Sequence, residues 1–211
     1  MPLPRLFIPW DPWLYKVARL LLGVSVAPWV RLRVSGVEQI PPTGPVLLAI
    51  NHQCDIDPTL VMHVAHRPLR FMADSRHWRG HVLGRVLARL GAFPIELGAA
   101  DRDGIRTAID LLAAGEAVAV FPEGVPHRDG VIRDFQPGIA LLALRAAAPV
   151  VPVAIRHANE LWVDRRLRRP RVRVAAGLPV DLSDLHGRNS EAYEEATARI
   201  MWAVAELFET L

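Results

Sequence analysis

The chain has 211 residues, 51% of them apolar and 22% charged, a balance that excludes intrinsic disorder and supports a sizeable core. One cysteine excludes an internal disulfide and a cysteine zinc cage, and with them the framework of a small secreted protein; a reducing compartment fits. The formal charge of +3 is too small to announce a nucleic-acid partner, and among 25 basic residues only Lys16 is a lysine.

The N-terminal region is apolar yet too short to span a bilayer, which takes roughly 20 apolar residues. Its best run starts at Leu20, meets Pro28 and ends at Arg31, and Asp11, Lys16 and Arg19 interrupt the stretch upstream, which reads poorly as a signal peptide. Asp11-Pro12 is an N-cap and first-turn pair, since aspartate accepts orphan amides and proline has none to lose. Leu14, Val17, Leu21 and Val24 then recur at helical spacing, with Lys16 and Arg19 on another face. Trp10, Trp13 and Tyr15 are rings of the kind that settle at lipid headgroups. Residues 1–29 are therefore expected to form a membrane-interfacial helical segment, against the plainer alternative of a helix packed on the domain with its aromatics in the core.

After Pro45, short apolar runs alternate with helical patterns. Strands are expected at Val46–Ile50, Leu69–Ala73, Ala92–Ile95, Ala117–Phe121, Val150–Ile155 and Arg171–Ala175. Helices are expected at Pro58–Ala65, His81–Leu90, Asp101–Ala114, Pro137–Ala147 and Ser190–Leu211. Such alternation predicts one α/β domain over residues 30–211, with a mostly parallel or mixed central sheet flanked by helices.

Two polar segments follow directly on apolar strands, where open α/β sheets place their ligands. The first is Asn51-His52-Gln53-Cys54-Asp55-Ile56-Asp57; the second is Phe121-Pro122-Glu123-Gly124, leading to Arg128-Asp129-Gly130. Five residues apart, His52 and Asp57 cannot share a helical face. A strand end, a turn and a helix start can still join them, and a carboxylate on one imidazole nitrogen leaves the other free to take a proton from an alcohol. The bland alternative is that Asp57 only caps the helix opened by Pro58.

Asn-His-x4-Asp followed by Phe-Pro-Glu-Gly resembles the glycerolipid acyltransferase family, typified by 1-acylglycerol-3-phosphate acyltransferase. Gly91-Ala92-Phe93-Pro94-Ile95 and Val150–Ile155 resemble two further blocks of that family, in order, so that the likeness covers residues 30 to 180. The resemblance implies an α/β fold and acyl transfer without a metal or other cofactor. It implies an acyl-CoA or acyl carrier protein donor, and a peripheral place on the cytoplasmic face of a membrane. His52 would be the general base and Asp57 its orienting partner. Asn51, Glu123 and Gly124 fall in the motif blocks, and His127 and Arg128 follow them on the acceptor side. Cys54 sits in a variable slot of the motif and reads as a bystander.

The chain departs from the family where the resemblance expects cations for a phosphate. Val125-Pro126 replaces Thr-Arg, Leu97 stands in place of an arginine, and Asp74 in place of a lysine. Asp74 and Glu96 would repel a phosphate and can accept hydrogen bonds from hydroxyls. A lipid-type alcohol without a phosphomonoester is therefore the expected acceptor, unless Arg76, Arg102, Arg128 or Arg133 substitutes. The alternatives are a conventional 1-acylglycerol-3-phosphate acyltransferase, a thioesterase using His52 on water, and a non-catalytic lipid-binding module. His63 with His66 and His77 with His81 lack further clustered metal ligands. The arginines at 165, 166, 168, 169, 171 and 173 lack the aromatic interleaving of a nucleic-acid site and better suit anionic lipid headgroups or the phosphates of the acyl carrier.

Overall fold

The computed structural model describes residues 10–26, 30–79, 81–98, 101–146, 148–163, 166–185 and 189–211. In chain order the elements are α1 (Pro12–Val26), β1 (Arg33–Ser35), β2 (Val46–Ile50), α2 (Asp57–Val64), β3 (Leu69–Asp74), α3 (His81–Arg89) and β4 (Ala92–Ile95). Then come α4 (Arg102–Ala113), β5 (Ala117–Val120), α5 (Gly138–Ala146), β6 (Val150–Arg156), β7 (Trp162–Val163), β8 (Arg166–Leu167), β9 (Arg173–Ala176) and α6 (Ser190–Glu209). The seven-stranded sheet runs β1-β9-β6-β2-β5-β3-β4, and only the β6–β9 pair is antiparallel. This is the mixed α/β sheet that the alternating sequence predicts.

The central strands read as unbroken apolar runs because helices cover both faces of the sheet. Val46, Leu48 and Ile50 of β2 face α2 and the buried side of α1, whereas Leu47 and Ala49 face α4, α5 and α6. Both faces of β2 and β5 are thereby dry, and the peptide groups at their carboxyl ends become the natural exit from the core.

Helix α1 buries one face against the domain and leaves the other exposed. The Asp11 carboxylate accepts the amides of Trp13 at 2.9 Å and Leu14 at 3.0 Å, as a capping residue does. Tyr15 is not at a lipid level: it is 1% exposed, its hydroxyl accepts the Leu69 amide at 3.2 Å, and burial pushes its phenol up to about 12. Trp10 lies under the Arg70 guanidinium, 5.3 Å from ring centre to carbon. Trp13, Leu20, Leu21 and Val24 point the other way and remain 62–71% exposed. At 100° per residue these four fall within an arc of about 100°, opposite Tyr15. Residues 1–9 and 27–29 of the expected segment, and Arg165, lie outside the described residues.

Local signals missed three features. Strand β1 is only three residues long, the β7–β8 hairpin contributes two residues per strand, and short 3-10 turns at Val37–Gln39, Ser75–Trp78 and Ala158–Leu161 are fixed by their tertiary neighbours.

Candidate active site

The chain leaves β2 at Ile50, and the next residue anchors it sideways. Asn51 is 1% exposed; its amide donates to the Ile155 carbonyl at 2.9 Å and its oxygen accepts the Ile155 amide at 2.7 Å. This imitates a strand pair where the β2–β6 ladder ends, so Asn51 faces β6 and fixes the backbone that presents His52. Gln53 acts similarly just past the end of β6, accepting the Ala158 amide at 3.0 Å.

Asp57 has no exposed side-chain surface, and its position at the start of α2 lets one carboxylate do several things. Its Oδ2 accepts the Gln53 amide at 2.5 Å and the Cys54 amide at 2.8 Å, and lies 2.8 Å from His52 Nδ1. Its Oδ1 accepts the Cys54 thiol at 3.2 Å. The capping alternative does not hold: Ile56 occupies the cap position of α2, and the Asp57 carboxylate takes amides of the preceding turn, which hold it against the imidazole Nδ1. Nε2 is the ring nitrogen that Asp57 does not engage, and the His52 side chain is 13% exposed. The ring rests on Phe121, centroids 4.3 Å apart and planes at 29°. Burial, then the Asp57 charge, pushes the Cys54 thiol far up, so it stays protonated.

The second motif grips the first. Glu123, 6% exposed, accepts the His52 amide at 2.7 Å through Oε1 and the Arg133 amide at 2.9 Å through Oε2. The His127 amide in turn donates to the His52 carbonyl at 2.8 Å. Burial raises the Glu123 carboxyl above its ordinary range, opposed by those two amides and by the charges of His127 and His52. The His127 imidazole lies 3.8 Å from the Glu123 carboxylate and is partly exposed. Gly124 turns the chain at φ +81°, a left-handed conformation that suits glycine.

The expected acceptor-side residues are spread around this centre. A Cβ on Gly124 would stand 3.9 Å from Leu97, so the second block does reach the Phe-Pro-Glu-Gly turn. The Glu96 side chain is exposed, while its amide donates to Asp101 at 2.7 Å. Asp74 accepts the Arg76 amide at 2.8 Å and the Arg76 guanidinium at 2.7 Å, which lowers its carboxyl pKa. Arg128 pairs with Asp55 at 2.8 Å and Arg133 pairs with Asp129, so three of the four candidate substitute cations already hold a carboxylate. Phe121 and Gln53 lie within the two motif segments without a role that the motifs mark, and Asn159, which donates to the Arg128 carbonyl at 3.1 Å, is a contributor that no local pattern marks.

A concavity of about 510 Å³ lies between α1 and α2 and is lined by Lys16, Arg19, Leu20, Gly23, Val24 and His63. His63 is six residues along α2 from Asp57, about 9 Å at 1.5 Å per residue, so this groove is separate from the imidazole. Among the described residues no three His, Cys, Asp or Glu side chains are grouped to hold a metal ion.

The model of the family described as Acyltransferase matches residues 31–156, which hold Asn51, His52, Asp57, Glu123 and Gly124. The chain belongs to this acyltransferase family. It is 33% identical over 161 residues to an uncharacterised protein of Mycobacterium tuberculosis, covering 69% of this chain and 43% of the other. It is 25% identical over 155 residues to the 1-acyl-sn-glycerol-3-phosphate acyltransferase of Borreliella burgdorferi, covering 70% of this chain and 58% of that protein. The crystal structure of the 1-acyl-sn-glycerophosphate acyltransferase PlsC from Thermotoga maritima shares the fold, with a TM-score of 0.73 at 23% identity, covering 92% of this chain and 79% of that one. The matched region spans about half the length of the curated relatives or less. The family match covers β2 and β5, the strands that carry the His52 and Glu123 loops.

Proposed function

We propose that this acyltransferase moves a fatty acyl group from an acyl thioester, acyl-CoA or acyl carrier protein, to a hydroxyl of a lipid-type acceptor at a membrane surface. The observation that carries the reading is the partly exposed His52 imidazole, with Nδ1 held by the buried Asp57 carboxylate and Nε2 not engaged by it. The acceptor oxygen attacks the thioester carbonyl carbon while Nε2 takes the hydroxyl proton. The tetrahedral intermediate collapses with loss of the C–S bond, and the imidazolium returns the proton to the departing thiolate. Asp57 stabilises the imidazolium and fixes its tautomer. Glu123 positions His52 through the backbone amide and, with His127, Gly124 and Arg128, borders the acceptor side. The resident group is the side-chain pair alone, with no cofactor in the step.

Membrane contact is supported by α1, whose exposed Trp13, Leu20, Leu21 and Val24 lie beside the Lys16 and Arg19 groove. An apolar face flanked by cations suits an anionic lipid surface. No helix among the described residues is long and apolar enough to cross a membrane.

Two acceptors compete. The names of the relatives favour 1-acylglycerol-3-phosphate. Leu97, Pro126 and the Asp74 carboxylate favour an alcohol without a phosphomonoester, because a doubly charged phosphate prefers the fork of an unengaged arginine. Competition kinetics with both acceptors in one mixture, read by mass spectrometry, decide between them. A higher kcat/KM for lysophosphatidate than for every neutral acceptor removes the second reading. Free fatty acid as the sole product removes acyl transfer to lipid altogether.

A further inference from the structure

The free edge of the sheet carries an arginine array that the chemistry at His52 does not use. Strands β1 and β9 are parallel and in register with Arg33 beside Arg173, and the ladder continues upstream, where the Arg31 amide donates to the Pro170 carbonyl at 2.9 Å. The alternation places Arg31, Arg33, Arg171 and Arg173 on one face, while Val30, Val172 and Val174 enter the core on the other. Across the next strand Arg173 pairs with Arg156, which extends the row to three. Arg156 is held by the Phe208 carbonyl at 3.0 Å and by Glu209 at 3.9 Å. The other four have no side-chain hydrogen bond or ion pair among the described residues, and all but Arg173 are exposed. Like charges directly opposite one another destabilise a sheet, so such a grid without counter-ions marks a face shaped for an anionic partner.

The layers of the fold select among anionic partners. The array lies on the α6 face, whereas α1, with its exposed Trp13 and Leu20, lies on the opposite face. A bilayer engaged by α1 therefore leaves the array to the aqueous side. The array is at the carboxyl end of β6, the end from which His52 projects, and β1 is three strands from β2, on the order of 14 Å. It is an open sheet edge rather than a cleft, which suits a convex acidic protein surface better than a nucleotide, because small ligands are held in concavities. We propose that the arginines at 31, 33, 171 and 173 dock the acidic face of an acyl carrier protein and deliver its phosphopantetheine thioester to His52. The inference rests on the acyl-transfer reading above and names the donor that serves it.

The test pairs transfer with direct binding. The variants are R31Q/R33Q/R171Q/R173Q and the charge-keeping R31K/R33K/R171K/R173K, compared on palmitoyl-acyl carrier protein, palmitoyl-CoA and palmitoyl-pantetheine. The glutamine variant is expected to lose about tenfold or more in kcat/KM on the carrier-protein donor at low salt, through KM, with that loss shrinking as salt rises. Palmitoyl-pantetheine transfer stays unchanged, and the lysine variant regains most of the loss. Fluorescence anisotropy of labelled acyl carrier protein is expected to show the same weakening without any acceptor, so it reads docking even where no transfer occurs. Unchanged anisotropy and kcat/KM for the carrier protein overturn the proposal. So does a loss confined to palmitoyl-CoA, an equal loss on palmitoyl-pantetheine, or a loss of pelleting with phosphatidylglycerol vesicles in place of carrier-protein binding. Transfer absent from the unmodified protein with every donor, alongside arginine-dependent anisotropy, would instead overturn the acyl-transfer reading and leave the docking face standing.

Discussion

The carboxylate of Glu123 accepts the backbone amide of His52 at 2.7 Å across 71 residues of sequence. The strand end that carries His52 is therefore fixed by the Phe-Pro-Glu-Gly loop, and both loops must be in place to hold the imidazole where it lies. Because the contact is to the backbone, a change at Glu123 acts on the position of His52 rather than on its proton.

Replacing His52 by Ala removes the base, and transfer should fall by about 10²–10⁴-fold while the fold persists. Asp57→Asn should be impaired comparably, since an amide neither stabilises the imidazolium nor enforces the tautomer. Asp57→Ala should in addition destabilise the protein, because the Gln53 and Cys54 amides lose their acceptor, at about 1–3 kcal/mol per orphaned buried group. Steady-state rates together with thermal melting separate the two effects. A His52→Ala protein with near-native turnover would refute the mechanism.

Glu123 sets a pH dependence of stability. Burial raises its carboxyl above the ordinary 4.5, so ionising it costs more in the folded chain than in the unfolded one. Its contribution is complete below pH 4.5 and declines as pH climbs through the raised folded value. The melting temperature of the natural protein should therefore fall, relative to Glu123→Gln, as pH rises from 4.5 through the range where the folded carboxyl ionises. Parallel melting curves for the two proteins across that interval would contradict this.

Two sets of substitutions separate the faces of α1. Trp13→Ser with Leu20→Ser should reduce pelleting with anionic vesicles and leave stability within about 0.5 kcal/mol, as exposed sites do. Tyr15→Ala should leave the lipid face intact and cost about 3–5 kcal/mol, the range for removing a buried aromatic ring. Removing the first 27 residues is expected to weaken vesicle binding more than folding, though it also takes Tyr15 from the core. Equal pelleting by the double serine variant and the natural protein would return α1 to a purely structural role.

Cys54 lies 3.2 Å from the Asp57 carboxylate with its thiol pKa pushed far up. Cys54→Ala should keep activity within a few-fold, and the native thiol should react slowly with iodoacetamide at pH 8, because the thiolate is the nucleophile. Rapid alkylation accompanied by loss of activity would reopen a covalent route.

By itself the sequence determined the α/β architecture, since alternating apolar runs and helical periods are local, repeated signals that only one layered arrangement satisfies. It also marked His52 and Asp57, because the family's motif is contiguous in the chain, and it marked both halves of α1. Only the tertiary structure decided how these parts are used. That Asp57 faces the imidazole instead of capping its helix depends on turn amides aligned on one oxygen, and the grip of Glu123 on His52 depends on β2 and β5 lying side by side. The burial of Tyr15 required the Leu69 amide that donates to its hydroxyl. The grid of Arg31, Arg33, Arg171 and Arg173 exists only once two strands more than a hundred residues apart lie in register. Local propensity acts over a few residues, whereas these relationships are set by which strands neighbour each other, and that is fixed by burial of the whole sheet.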